Sequence, residues 1–218
     1  MSQVATQYEL EELQSSHAIG TDPTILRKVL QPEVNLSLWR RPVNEDIQSE
    51  LAALCSSDLP DVRCSTSLQS FGTDVENLLR VHGLDPSELR NWCLDLEMVA
   101  DHYFSICGRK TAMLRLETTM DDGCRRFHAD RTRLRLLCTY QGPGTEWLSN
   151  EQVDRAAHRS GASNEEIVRF GDAENFKPFW VGILKGTKYP GNAKLGLVHR
   201  SPPMKNVFKT RVVVCLDS

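Results

Sequence analysis

The residues best equipped for chemistry lie in Phe127-His128-Ala129-Asp130 and, far along the chain, in Leu197-Val198-His199-Arg200-Ser201-Pro202-Pro203. On a strand, residues two apart point to the same face, so His128 and Asp130 would present an imidazole and a carboxylate to one point. His199, arriving on a separate strand, would close the group. Two imidazoles and one carboxylate on one face of a metal, with the other positions open, form the ligand set of non-heme Fe(II) oxygen chemistry. The same three ligands would also hold Zn²⁺ with an open water position, since first-row metals compete for N/O sites by availability as well as geometry. Cys124 is a softer candidate ligand if its strand bends. A structural His128–Asp130 pair without any metal is the third reading.

Beyond His199, Lys209-Thr210-Arg211-Val212-Val213-Val214 leads into an apolar strand. Alternation puts Lys209, Arg211, Val213 and Cys215 on one face. A planar guanidinium projecting into a β-built interior can grip a carboxylate through two hydrogen bonds. Arg125, Arg126, Arg131, Arg133, Arg135 and Arg200 also flank the candidate ligands in sequence. They would either attract an anionic substrate or form a solvated strand face.

These groups need elements to position them. Residues 1–32 are polar and mixed and predict an arm, with a short helix at 9–14 and a helix start at Asp22-Pro23-Thr24. Residues 33–218 predict a single domain. A strand is expected at 34–38, and Asn44 would cap a helix running from 45 to about 55. Residues 56–70, rich in Ser, Asp and Pro, predict a loop. A second helix would run from 73 to Gly83, and Asp85-Pro86-Ser87-Glu88 would start the longest one, ending near 107 at Gly108. From Lys110 onward the apolar period changes to two. Strands are expected at 111–117, 124–128, 132–140, 145–148, 166–170, 179–184, 195–199 and 211–216, with a helix near 151–158. This is an α+β chain in which helices over 44–108 support an antiparallel sandwich or barrel over 110–218.

Composition narrows the class. The chain has 218 residues, 40% of them hydrophobic and 25% charged, as in an ordinary soluble globular protein. A formal charge of −3 gives no argument for nucleic acid or membrane partners. Seven scattered cysteines without a Cys-x-x-Cys pair predict reduced thiols in a cytoplasmic protein. No apolar run is long enough to span a membrane. Nucleophile-elbow, Walker and dinucleotide fingerprints are absent.

From Cys124 to the C-terminus the chain resembles the 2-oxoglutarate- and Fe(II)-dependent dioxygenase superfamily, in particular its prolyl-hydroxylase-like branch. The whole chain is similar to an uncharacterised bacterial family of domains of unknown function. The likeness is carried, in order, by His128-x-Asp130, Gly142-Pro143-Gly144-Thr145-Glu146-Trp147 after a strand, His199, and the basic residue opening the last strand. It implies a double-stranded β-helix, a jelly-roll of cupin type, with iron held by His128, Asp130 and His199 as the catalytic centre. It further implies 2-oxoglutarate as cosubstrate, anchored by Arg211, with Lys209 as second choice and Tyr140 donating a hydrogen bond to the same carboxylate. The activity implied is hydroxylation of a small molecule or peptide that the sequence does not identify. The alternative is a cupin-like protein that binds zinc or iron without oxygenase activity. Two departures stand out: Gly142-Pro143-Gly144 replaces the frequent Gly-Gly, and residues 184–192 are basic and glycine-rich where an apolar strand and turn are usual.

Overall fold

The computed structural model describes residues 16–205, 207 and 209–218, so the helix expected at 9–14 lies outside the described residues. The three longest α-helices lie in the first half. α1 (Glu45–Leu51) begins where the Asn44 side chain accepts from the backbone N–H of Asp46 and Ile47, at 3.0 and 3.1 Å. α2 spans Phe71–Val81 and α3 spans Arg90–Cys107, the latter ending at Gly108 in the left-handed conformation. Asp85-Pro86-Ser87-Glu88 does not open α3. Asp85 instead closes a turn on Ser87, and α3 starts later, where the Glu50 carboxylate of α1 accepts from the backbone N–H of Asn91 and Trp92. A cap supplied by another helix leaves no local signal.

The strands are β1 (His17–Gly20), β2 (Leu36–Trp39), β3 (Val62–Ser67), β4 (Thr111–Thr119), β5 (His128–Ala129), β6 (Leu134–Gln141), β7 (Glu146–Leu148), β8 (Glu174–Asn175), β9 (Val181–Lys185), β10 (Val198–Arg200) and β11 (Arg211–Asp217). They form a seven-stranded sheet in the order β1-β2-β9-β6-β11-β4-β3 and a four-stranded sheet in the order β5-β10-β7-β8. Pairing is antiparallel except between β1 and β2. Two short helices, α4 (Arg155–Ser160) and α5 (Asn164–Ile167), follow β7. The architecture is thus a β-rich mixture of helices and two sheets.

Alternation decides which side chains meet the helices. Leu114 and Leu116 of β4, Leu134, Leu136, Cys138 and Tyr140 of β6, and Val212, Val214 and Leu216 of β11 pack into one core with Trp92, Leu96, Val99 and Tyr103 of α3. Each fully buried aliphatic side chain there contributes about 1.5–3 kcal/mol. The opposite parity of the same strands faces the smaller sheet: Leu137, Val213 and Cys215 pack with Trp147, Phe176 and Leu197. The candidate ligands stand on this inner side.

Three expectations change. The stretch expected to be an arm supplies β1 and a 3-10 helix, Pro23–Leu30, which buries Leu26 and Val29 completely. The packed region therefore reaches back to Ser16. Lys185, itself buried, donates from Nζ to the Gln31 carbonyl at the end of that helix, a contact distant in sequence. The expected loop 56–70 contains β3, an edge strand of Arg, Cys, Ser and Thr whose polar composition hides its register with β4. The expected strand 166–170 gives way to α5, which carries a reciprocal cap between Ser163 and Glu166.

Candidate metal centre

The antiparallel register of β5 and β10 sets His199 directly opposite His128, with ring centroids 4.6 Å apart. Val198 and Phe127 turn the other way, into a small core with Leu148, Val153 and Ile167, with Ala129 packed against it. Both imidazoles are thereby directed inward. Beyond β5 the chain turns under tight constraint. The Asp130 carbonyl accepts from the Thr187 N–H at 2.8 Å, and a Cβ on Gly186 would stand 2.2 Å from the Thr132 carbonyl and 2.8 Å from that of Asp130. The glycine-rich stretch after β9 thus buttresses the backbone that carries Asp130.

One ligand atom from each of His128, Asp130 and His199 lies within 4.8 Å of the others. His128 Nε2 is 3.7 Å from Asp130 Oδ1, and His199 Nε2 is 3.4 Å from Asp130 Oδ2. The tautomers follow from the other ring nitrogens. His128 Nδ1 meets the Arg126 carbonyl at 2.9 Å and His199 Nδ1 meets the Leu197 carbonyl at 3.2 Å. A carbonyl only accepts, so each Nδ1 carries the hydrogen and each Nε2 presents a lone pair. Burial pushes the His199 pKa down to about 4 against the opposing pull of Asp130, which keeps the ring neutral at neutral pH. Asp130 Oδ2 is buried with no hydrogen-bond partner.

Two imidazole lone pairs and an orphaned carboxylate oxygen facing one point are mutually repulsive unless a cation lies between them. A buried unpaired carboxylate oxygen costs about 1–3 kcal/mol or more. The donor set fits a divalent metal. Cys124 does not join it, because its Sγ lies 3.5 Å from His128 Nδ1, on the carbonyl-bonded side of the ring.

The centre opens on a cavity of about 110 Å³ whose lining includes His128, His199, Arg135, Thr145, Arg211 and Val213. Arg211 is 5% exposed. Its Nε donates to the Pro143 carbonyl at 2.9 Å and its Nη2 to the Thr145 and Thr139 hydroxyls at 3.2 and 3.5 Å. Among the described residues no carboxylate stands within ion-pair distance of it. Burial lowers its pKa to about 10, so the group remains a cation at neutral pH. Gly142-Pro143-Gly144 acquires a role here. Gly142 has φ +81 with Arg211 Cα 3.1 Å from its absent Cβ, and a Cβ on Gly144 would stand 2.1 Å from the Phe176 carbonyl. The glycines thread the loop between Arg211 and Phe176 and aim the Pro143 oxygen at the guanidinium.

Three sequence candidates therefore line one cavity, His128, His199 and Arg211, and Asp130 stands with the two imidazoles at its head. Two do not join them. Lys209 is exposed and stands away from the lining. Tyr140 is fully buried on the opposite face of β6, where its hydroxyl donates to Asp95 Oδ2 at 2.6 Å, and burial raises its pKa well above the usual range. Its parity matches the core-facing Leu134 and Leu136, so the alternation of β6 already excludes it. The same rule points Arg135 and Thr139 inward. Of the flanking arginines, Arg200 is paired with Glu146 at 2.6 Å and lies over the Phe127 ring. Arg126 donates to the Ala162 carbonyl.

Comparison with known proteins adds the following. A family model described as "Protein of unknown function (DUF1826)" matches residues 20–217. No curated protein matches the chain. Among solved structures, dioxygenase for auxin oxidation 1 from Arabidopsis thaliana, in a binary complex with 2-oxoglutarate, is similar with a TM-score of 0.52 at 9% identity, covering 92% of this chain and 91% of that one. AviO1 from Streptomyces viridochromogenes gives a TM-score of 0.43 at 13% identity, covering 91% and 96%. The first is a likeness of fold, and the second is too distant to carry an argument.

Proposed function

We propose that this chain, which belongs to the DUF1826 family of proteins of unknown function, is a non-heme Fe(II)- and 2-oxoglutarate-dependent oxygenase built on a double-stranded β-helix. The observation that carries this reading is Arg211: a buried guanidinium on the wall of the cavity headed by His128 and His199, with no carboxylate among the described residues in ion-pair contact and Glu117 acting on it only from across that cavity. Buried charges are ordinarily paired, so an unpaired one in a cavity marks the place of an anionic ligand. The dioxygenase neighbour, itself a 2-oxoglutarate complex, supports the fold half of the proposal.

His128 Nε2, Asp130 Oδ2 and His199 Nε2 would hold the iron. Bound there, iron and 2-oxoglutarate would, with O2 as the oxidant, supply oxidative decarboxylation of 2-oxoglutarate to succinate and CO2 coupled to insertion of the second oxygen atom into a C–H bond. The chain's own residues do the rest. Arg211 grips the far carboxylate of the cosubstrate, Thr139, Thr145 and the Pro143 carbonyl hold that guanidinium in place, and Val213, Leu137 and Cys215 give the cavity an apolar wall. The carbonyls of Arg126 and Leu197 hold each ring by its Nδ1 and turn Nε2 towards the metal position.

The test is succinate formation from 2-oxoglutarate with and without added Fe(II), together with direct binding of 2-oxoglutarate to the metal-loaded protein. Iron-dependent succinate and measurable binding are expected. Tight metal binding with no 2-oxoglutarate affinity would reject the oxygenase and leave a cupin-like metal-binding protein.

A further inference from the structure

Resting on that metal reading, we propose that Arg135 is a positioning residue that restricts Asp130 to one-oxygen coordination. The Asp130 carboxylate is divided between two environments. Arg135 Nη1 takes Oδ1 at 2.8 Å, while Oδ2 is buried without a hydrogen-bond partner, 3.4 Å from His199 Nε2. A guanidinium at that distance competes with a metal for Oδ1. Oδ2 is left as the uncontested donor, so three side chains supply three ligand atoms and the remaining positions stay open to small molecules.

Arg135 is itself fixed. On the paired strand β11, Asp217 lies in register with it and accepts from Nε at 2.6 Å and Nη2 at 2.7 Å. Asp217 also balances the guanidinium charge. An isolated cation this close would repel a divalent metal, whereas the neutralised pair can orient Asp130 without opposing metal binding. The fork geometry matters as well, because five donors in a fixed plane hold two carboxylates at set angles, whereas the rotatable ammonium of a lysine does not.

The experiment is Co(II) titration of the metal-free protein, followed by the visible ligand-field absorption of the bound ion. The double variant R135Q/D217N removes the fork and its counter-charge together, leaving the local charge unchanged. It is expected to bind Co(II) about 10–100-fold more weakly, the range typical when a group orienting a ligand is lost. Its absorption band is expected to change as the second Asp130 oxygen becomes free to coordinate. R135K, which keeps the charge balance but not the fork, is expected to move both readouts in the same direction by less, and it serves as the test should the double variant fail to fold. Co(II) affinity within threefold of the parent with an unchanged spectrum would reduce Arg135 to a tie for the C-terminal strand and overturn the inference. A parent protein that binds no Co(II) would instead remove the metal reading, and this inference with it.

Discussion

Arg211 and His128 make separable contributions, and their variants should divide cleanly. Replacing Arg211 by Ala removes charge-assisted hydrogen bonds worth about 1.5–3 kcal/mol each. The expected result is a loss of roughly 100-fold in 2-oxoglutarate affinity with Co(II) affinity unchanged, read by isothermal titration. His128→Ala should do the reverse at the first step, lowering metal content of protein purified without chelator. If R211A lost its metal while keeping its cosubstrate affinity, the assignment of the two groups would be wrong. The metal-free protein offers an independent check. A buried cation with no counter-charge in contact among the described residues is a cost that an apolar side chain of similar length does not carry. R211M is therefore expected to leave the melting temperature of the metal-free protein unchanged or raise it. Most of these residues were legible in the sequence because strand alternation and residue chemistry agree on them. Asp130 Oδ2 was not: its lack of a partner depends on Arg135, Gly186 and Thr187, none adjacent to it.

At the scale of elements, β6 shows how far periodicity reaches. Its even-numbered residues enter the helix-side core, whereas Arg135 and Leu137 line the cavity and Thr139 meets Arg211. Tyr140 consequently belongs to a buried network in which Arg41 donates to Asp95 through two bonds of 2.6 and 2.7 Å and Tyr140 donates to the same carboxylate. The network joins the end of β2 to α3 and β6. Tyr140→Phe is expected to destabilise the protein by about 1.5–3 kcal/mol, a single hydrogen bond to a charged group, with 2-oxoglutarate affinity unchanged. A large drop in that affinity with little change in denaturant midpoint would return Tyr140 to the cosubstrate site. The helices and long strands could be placed from their periods, but β3 and the start of α3 could not. One is a polar edge strand specified by its partner β4, and the other begins under a carboxylate from α1. Both are tertiary facts.

For the whole molecule, the first described strand ties the N-terminal segment to the rest and carries a pH dependence of its own. His17 on β1 packs edge-on against Trp147, in the core between the two sheets, and burial lowers its pKa from 6.5 to about 4 despite the opposing charge of Glu151. A folded-state pKa below the unfolded value means that the unfolded chain binds the proton first on acidification. The associated stability is present above about pH 6.5 and is lost progressively as pH falls towards 4. At about 1.4 kcal/mol per pKa unit the loss amounts to at most about 3.5 kcal/mol. The polar segment could not announce this role, because nothing near His17 in sequence marks the Trp147 that covers it. Urea unfolding in the presence of chelator, compared at pH 7.5 and pH 5, should show the parent weakening more steeply than His17→Gln, whose neutral amide does not titrate. Parallel losses in the two proteins would place the acid sensitivity elsewhere and show that β1 docks without burying a proton-sensitive ring.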